Sequence, residues 1–274
     1  MVSIIIPCFN DAQYIEQAVA SALAQTLQQK EIIVIDDGSN IETKAVLKNL
    51  EPKIDKLITQ QNKGASAARN IGIENSKWDY IIVLDSDDYF DPSFAAKALE
   101  IISKDEQIKI VTCYANIFKE KEILKIIKPK EAELKDFLLY NCAIGNSIFR
   151  KRDFYNSGGY DEDMKDGYED WEFYIRLLKN GGISKVIPEI LFNYRQKKIS
   201  NSSIARSKKY ELLKYIYFKH KDLYLIHYES FVDHLVARLE VVEKTEQKIL
   251  NSLEFRIGKF ITNPFKMLRR RIKL

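Results

Sequence analysis

Ile81-Ile82-Val83-Leu84-Asp85-Ser86-Asp87-Asp88 is the stretch whose reading decides the fold. Four apolar residues, three of them β-branched, suit a strand buried on both faces of a parallel sheet. Three carboxylates then arrive within four positions, where the chain must leave the sheet. Tyr89-Phe90 follows, and Asp91-Pro92 closes the loop and starts a helix. In an open α/β sheet, ligands bind beyond the carboxyl ends of the strands. Carboxylates crowded there repel one another unless a cation holds them, and hard cations such as Mg²⁺ or Mn²⁺ take oxygen ligands. A solvated acidic turn is the plainer alternative, since Asp also favours turns and helix N-caps.

The same rhythm extends outward in both directions. Val2 to Pro7 reads as a first strand, and Asn10-Asp11 as the cap of a helix over Ala12 to Leu27. Ile32 to Ile35 is a second buried strand that also ends in acids, Asp36-Asp37-Gly38-Ser39. A helix over 40–50, a weaker strand over Ile54 to Gln60, the turn Gln61-Asn62-Lys63-Gly64 and a helix over 65–75 complete the first half. Alternating strands and helices with short loops predict a doubly wound, mostly parallel α/β sheet flanked by helices, with right-handed crossovers. Further on, the pattern predicts a helix over Pro92 to Ser103, a strand over Ile108 to Tyr114, an edge strand over Ile123 to Ile127 and a helix over Glu131 to Tyr140. A strand at 146–150, a short helix to Asn156 and a helix from Glu169 to Lys179 follow. Strands at Ile183–Ile187 and Ile190–Tyr194 then flank Pro188, and from about Ser203 the pattern is helical.

Composition narrows the class. A chain of 274 residues, 46% hydrophobic and 30% charged, has the make-up of an ordinary soluble globular protein with one large or two modest domains. The opening Met1-Val2-Ser3-Ile4-Ile5-Ile6-Pro7 has no basic segment and a short apolar run, so it reads as a strand and not as a signal peptide or membrane span. Cys8, Cys113 and Cys142 are scattered and odd in number, which favours buried thiols in a reducing cytoplasm over disulfides or zinc. The net charge of +4 conceals an asymmetry: from Glu254 onward seven basic residues face one acid, a local +6, which leaves −2 for the remainder. The body therefore offers no electrostatic case for nucleic acid. In the tail, Phe255, Ile257, Phe260, Ile261, Phe265, Met267, Leu268 and Ile272 interleave with the cations, a pattern suited to an anionic membrane surface through residues 254–274. Packing of that helix on the body or on a partner chain is the alternative. The Tyr- and Leu-rich stretch 210–239 allows a homodimer or a monomer.

Two strand ends carrying acids are more specific together than apart. Such carboxylates can accept hydrogen bonds from a nucleoside base or ribose and hold a metal that neutralises a diphosphate. Asp37 is placed to accept from a ring N–H, Asp85 from ribose hydroxyls, and Asp87 with Asp88 to ligate the cation; Asp37-Gly38-Ser39 as a turn and cap is the alternative. Lys63-Gly64 and Arg69-Asn70 lie about the first turns of a helix, where anions bind. No Walker lysine and no Gly-rich dinucleotide fingerprint occurs, which argues against P-loop and NAD chemistry. Glu169-Asp170 opens a helix, either as a general base kept ionised by the helix dipole or as a routine N-cap. His220, His227 and His234 recur every seven residues and read as helix-surface or interfacial positions.

Taken together and in order, these motifs resemble the family 2 glycosyltransferases with the GT-A fold. The resemblance is carried by Ser3-Ile4-Ile5-Ile6-Pro7-Cys8-Phe9-Asn10, Ile35-Asp36-Asp37-Gly38-Ser39, Asn62-Lys63-Gly64 with Ala68-Arg69-Asn70, and Leu84-Asp85-Ser86-Asp87-Asp88. Gly158-Gly159-Tyr160-Asp161-Glu162, Glu169-Asp170-Trp171 and Tyr194-Arg195 complete it. It implies a catalytic domain over 1–203, with a nucleotide-binding half to about 115 and an acceptor-side half over 116–203, followed by a helical extension over 204–274. It further implies an inverting, metal-dependent transfer from a nucleotide-diphospho-sugar, UDP by family habit, to a glycan or lipid-linked acceptor in cell-surface polysaccharide or glycolipid assembly. The enzyme would work in the cytoplasm, peripherally on the inner face of the cytoplasmic membrane. Pro7, Phe9, Asn10, Asp36, Asp37, Asn62, Gly64, Arg69, Asp85 and Ser86 would surround the nucleotide. Asp87, with Asp85 and Asp88, would hold Mn²⁺ or Mg²⁺, and Asp170 beside Glu169 would be the base. One departure stands out: relatives carry a metal-side histidine shortly after the Tyr-Arg pair, and this chain has Gln196-Lys197-Lys198, whose lysines could neutralise diphosphate charge instead. Leu84-Asp85-Ser86-Asp87 also resembles the nucleophile strand of haloacid-dehalogenase phosphohydrolases, although that family places its motif on the first strand. A non-catalytic sugar-nucleotide-binding membrane protein is a third reading.

Overall fold

The computed structural model describes residues 1–197, 205–260 and 262. It comprises two compact units, Met1–Leu223 and Tyr224–Leu274. In the first, the strands β1 (Val2–Cys8), β2 (Lys30–Asp36), β3 (Lys56–Thr59) and β4 (Tyr80–Val83) pair in parallel in the order β3-β2-β1-β4. Every residue of β1 is buried, as expected of a strand with neighbours on both edges and helices on both faces. The crossover helices are α1 (Ile15–Leu23), α2 (Ile41–Leu50) and α3 (Ala65–Glu74). Gly72 brings α3 against the sheet: a Cβ there would collide with Ile5 and Ile35. That close approach fixes the height at which Arg69, one turn earlier, meets the strand ends.

The sheet continues beyond β4 through later strands. These are β5 (Tyr89–Phe90), β6 (Ile108–Lys119), β9 (Ile148–Arg150) and β10 (Ile183–Arg195), giving the order β4-β9-β6-β10-β5, with β7 (Glu122–Ile127) and β8 (Ala132–Glu133) paired alongside. In this run β9 lies antiparallel between β4 and β6, β10 is parallel to β6, and the short β5 is antiparallel to β10. The remaining helices of this unit include α4 (Phe94–Lys104), α5 (Leu134–Phe137), α6 (Lys151–Ser157), α7 (Glu169–Leu178) and α8 (Lys209–Lys219). A continuous core joins Ile4, Ile6, Val34, Ile82 and Leu84 to Phe90, Phe94, Val111, Ile148 and Phe192. The expected α/β sheet, mostly parallel and flanked by helices, is therefore present.

Several boundaries differ from expectation for identifiable reasons. Asn10-Asp11 does not cap α1 with a side chain. Asn10 is left-handed (φ 57°), and the Asp11 carbonyl accepts the Tyr14 and Ile15 amides, so the helix starts at Ile15. The helix expected from Pro92 starts at Phe94, because Asp91 Oδ1 accepts from the Ser93 amide at 2.9 Å and hydroxyl at 2.7 Å. The helix expected over 131–140 shrinks to Leu134–Phe137, since Ala132 and Glu133 pair with β10. The two strands around Pro188 are one, with register shifts on either side of it, as a residue lacking an N–H requires. The second unit contains α9 (Tyr228–Asn251). Among the described residues no helix is long and apolar enough to cross a membrane.

Candidate functional site

The two acid-bearing strand ends flank β1, so that Cys8 to Asp11 run between them. On the β2 side Gly38 is left-handed (φ 76°), and a Cβ there would lie 2.7 Å from the Asn62 amide nitrogen. That approach lets Asp37 accept from Gln60 Nε2 at 2.6 Å and from the amides of Lys63 and Gly64 at 2.8 Å each. Asp37 thus fastens the loop entering α3, and Asp36 accepts the Ser39 amide at 2.8 Å. Both carboxylates serve the fold here, in keeping with the turn-and-cap alternative for Asp37-Gly38-Ser39. Asn10 ties the loops together, its amide donating to Ser39 Oγ and its side chain accepting from the Asn40 amide at 2.8 Å. Phe9 stands exposed beyond the end of β1, and Pro7 lies within it opposite Ile35.

Arg69 connects the strand ends to the start of α7. Its guanidinium is buried and donates to Asp85 Oδ1 at 2.8 Å and Glu169 Oε1 at 2.6 Å. It also lies over the Tyr160 ring, 5.4 Å from its centre. Burial works against its charge, but Asp85 and Glu169 hold it protonated, above the ordinary arginine range. Asn70 secures the same corner, clasping the Tyr160 backbone by accepting its amide at 2.8 Å and donating to its carbonyl at 2.9 Å. The Gly158-to-Glu162 loop is in this way explained as scaffold.

Asp85, Asp87 and Asp88 diverge. Asp85 faces Arg69. Asp87 Oδ2 meets Lys197 Nζ at 2.7 Å, and the same ammonium meets Asp11 Oδ1 at 2.7 Å. Ser86 is buried and donates to the other Asp11 oxygen at 2.6 Å. Asp88 turns inward, 1% exposed, and accepts the Arg195 amide at 2.7 Å. Burial, and next the charges of Asp87 and Asp85, raise its carboxyl well above the usual range. The three-carboxylate cation site expected from sequence is accordingly not assembled here: among the described residues no three His, Cys, Asp or Glu side chains are grouped to hold a metal. A divalent ion on Asp87 would share it with an ammonium, and the donor set does not fit Mn²⁺ or Mg²⁺ as arranged.

At the opposite wall, Gly167 and Tyr168 take left-handed conformations (φ 115° and 64°) and turn the chain into α7. Trp171 anchors that turn, its indole donating to the Phe137 carbonyl at 2.6 Å. Asp170 Oδ1 accepts the Trp171 amide at 2.7 Å and Oδ2 accepts Asn141 Nδ2 at 3.1 Å. Burial, and next the neighbouring Glu169, push the Asp170 carboxyl up to about 6. Glu169 is committed to Arg69, leaving Asp170 as the carboxylate available for proton transfer. Arg69, Asp85, Glu169 and Asp170 line one cleft of about 1200 Å³, with Tyr140, Asn141, Gly145 and Tyr168 among its walls. Asn141 and Gly145 are absent from the sequence-based expectations, and Asp11 figures there only as part of a helix cap. Asp11 alone carried a signal, as a third acid at a strand end.

The sequence profile of Glycosyl transferase family 2 matches residues 3–158, more than half of the chain. The chain belongs to this family. An uncharacterized glycosyltransferase of Rickettsia typhi is 31% identical to this glycosyltransferase over 78% of its chain and 70% of the relative. The minor teichoic acid biosynthesis protein GgaA of Bacillus subtilis is 29% identical over 76% of the chain and 50% of the relative. Among solved structures, S. aureus TarS 1–349 in complex with UDP-GlcNAc superposes with a TM-score of 0.62 at 17% identity, covering 74% of this chain and 60% of that one. At that identity the likeness concerns the fold, which is the GT-A type. The glycosyltransferase spans half to two thirds of the length of GgaA and TarS 1–349.

Proposed function

We propose that this family 2 glycosyltransferase moves a sugar, with inversion, from a nucleotide-diphospho-sugar carried on UDP to a hydroxyl of a glycan or lipid-linked acceptor in cell-surface polysaccharide assembly. The observation that carries the reading is the single cleft shared by Asp85 and Arg69 on one wall and Asp170 on the other. A direct displacement needs one base on the face of the sugar opposite the departing diphosphate. Asp170, ionised above pH of about 6, takes the acceptor proton. Asn141 and the Trp171 amide aim its two oxygens. Arg69, paired to both Asp85 and Glu169, positions the donor end against the base helix. Pro7, Phe9, Asn10, Asn62 and Gly64 border the nucleoside side, with Asp36 and Asp37 shaping the loops that bear them. The relationship to GgaA and the UDP-GlcNAc complex of TarS support the donor and acceptor classes. Residues 254–274 would hold the enzyme on the inner face of the cytoplasmic membrane; of these, 261 and 263–274 lie outside the described residues.

The test is sugar transfer from a UDP-sugar panel to extracts of cell-surface acceptors, comparing the wild type with Asp170→Asn. Loss of about 10²–10⁴-fold in turnover with nucleotide binding retained is expected; unchanged turnover would sink the assignment of the base. Trapping of a phospho-aspartate at Asp85 would instead support a phosphohydrolase, and nucleotide-sugar binding without turnover on any acceptor a sensor.

A further inference from the structure

We infer that Lys197 is the resident cation of the donor-diphosphate site, so that the glycosyltransferase binds a nucleoside diphosphate without added divalent metal. The inference rests on the donor-site reading above. Three segments far apart in sequence meet at one ammonium: Asp11 after β1, Asp87 after β4 and Lys197 after β10, with both N–O distances 2.7 Å. Each partner is itself held. Ser86 donates to Asp11. Arg195, two residues before Lys197, donates from Nε to the Asp87 carbonyl at 2.8 Å and from its amide to Asp88. The Arg195 guanidinium is sandwiched 4.6 Å from the Tyr14 ring centre and 4.7 Å from that of Phe118. The backbone leading to Lys197 is therefore clamped, and the ammonium is delivered to the strand ends by construction.

An ammonium has three donors and no acceptor. Two are taken by Asp11 and Asp87, and the side chain remains 24% exposed at the strand ends, where it can receive an oxyanion. Tyr14, 5.0 Å from Nζ, adds a cation–π contact. A divalent ion on Asp87 would come within a few ångströms of this fixed positive charge and be repelled. Lysine thus replaces both the ion and the histidine that the family resemblance places shortly after the Tyr-Arg pair.

The experiment is calorimetric titration of the full chain with UDP, and with GDP, CDP and dTDP beside it, in EDTA and in Mn²⁺, together with Mn²⁺ electron paramagnetic resonance. The wild type is expected to bind UDP in EDTA within about threefold of its affinity in Mn²⁺ and to immobilise no Mn²⁺. Lys197→Ala should weaken binding in EDTA by about tenfold or more, Lys197→Arg should retain most of it, and Lys197→His should make both binding and the resonance signal depend on Mn²⁺. Wild-type binding seen in Mn²⁺ and abolished by EDTA, with immobilised Mn²⁺, would overturn the role of Lys197 and leave the donor site standing. Binding of none of the four nucleotides in either buffer would overturn the donor site itself and the inference with it. Should Lys197→Ala fail to fold, the wild-type and Lys197→Arg measurements still decide the matter.

Discussion

At the scale of residues, the site depends on how Asp170 is held. Its carboxyl titrates at about 6 because burial and Glu169 disfavour the anion. A base acts only when ionised, so turnover should fall as pH drops through about 6 and level off above it. A pH–rate profile with no acid limb there would refute this. Asn141→Ala removes a hydrogen bond that favours the anion, and should move the acid limb to higher pH while nucleotide affinity is kept. Gly145 offers a second probe, since a Cβ there would lie 3.0 Å from Asp170 Oδ2. Gly145→Ala should displace the carboxylate and lower kcat by about tenfold or more, a misplacement effect, with the thermal midpoint little changed. The sequence reading found Glu169-Asp170 as a pair. Local sequence does not divide their roles, which only the family resemblance assigns, because Arg69, which claims Glu169, lies 100 residues away.

Among elements, α7 is the one that carries the proposed base, and its packing is set by Glu172. This carboxylate is fully buried and takes Arg176 at 2.6 Å, Lys219 at 2.9 Å and His220 at 3.0 Å, binding α7 to α8 and its end. Although burial raises its pKa, the hydrogen bonds from His220 and Arg176 outweigh that and hold it down at about 2. A depressed carboxylate stabilises the fold above its unfolded pKa, and that contribution is lost as pH falls through the folded value. Glu172→Gln should therefore cost roughly 3 kcal/mol at neutral pH, with the difference from wild type disappearing between about pH 4.5 and 2. Urea unfolding at pH 7 and pH 3 measures both. Equal stability of the two proteins at pH 7 would refute it. The helical period of Trp171, Tyr174, Ile175 and Leu178 predicted that α7 is amphipathic, and all four are buried. The buried Glu172 on the same helix was not legible, because its partners come from the next helix and from α7 itself only once both are packed.

For the whole molecule, the sheet order β3-β2-β1-β4 places acid-bearing strand ends on both sides of β1, and the α3–α7 bridge closes the cleft behind them. The basic tail extends the proposal to the membrane. The full chain should co-sediment with vesicles rich in anionic lipid at low salt, and Arg269, Arg270 and Arg271 changed to Glu should abolish this, at about 1 kcal/mol per charge near the surface. Equal binding to neutral vesicles would refute the electrostatic reading. Sequence alone determined the alternation of strand and helix, the buried strands and the acids at their ends, since those follow from local periodicity and from where a chain can leave a sheet. Tertiary structure decided which charge meets which. Asp37 was spent on a loop, Asp88 was turned inward, and Lys197 was brought 186 residues back to Asp11. Pairing of charges is a matter of distance in space, and only the packed sheet sets those distances.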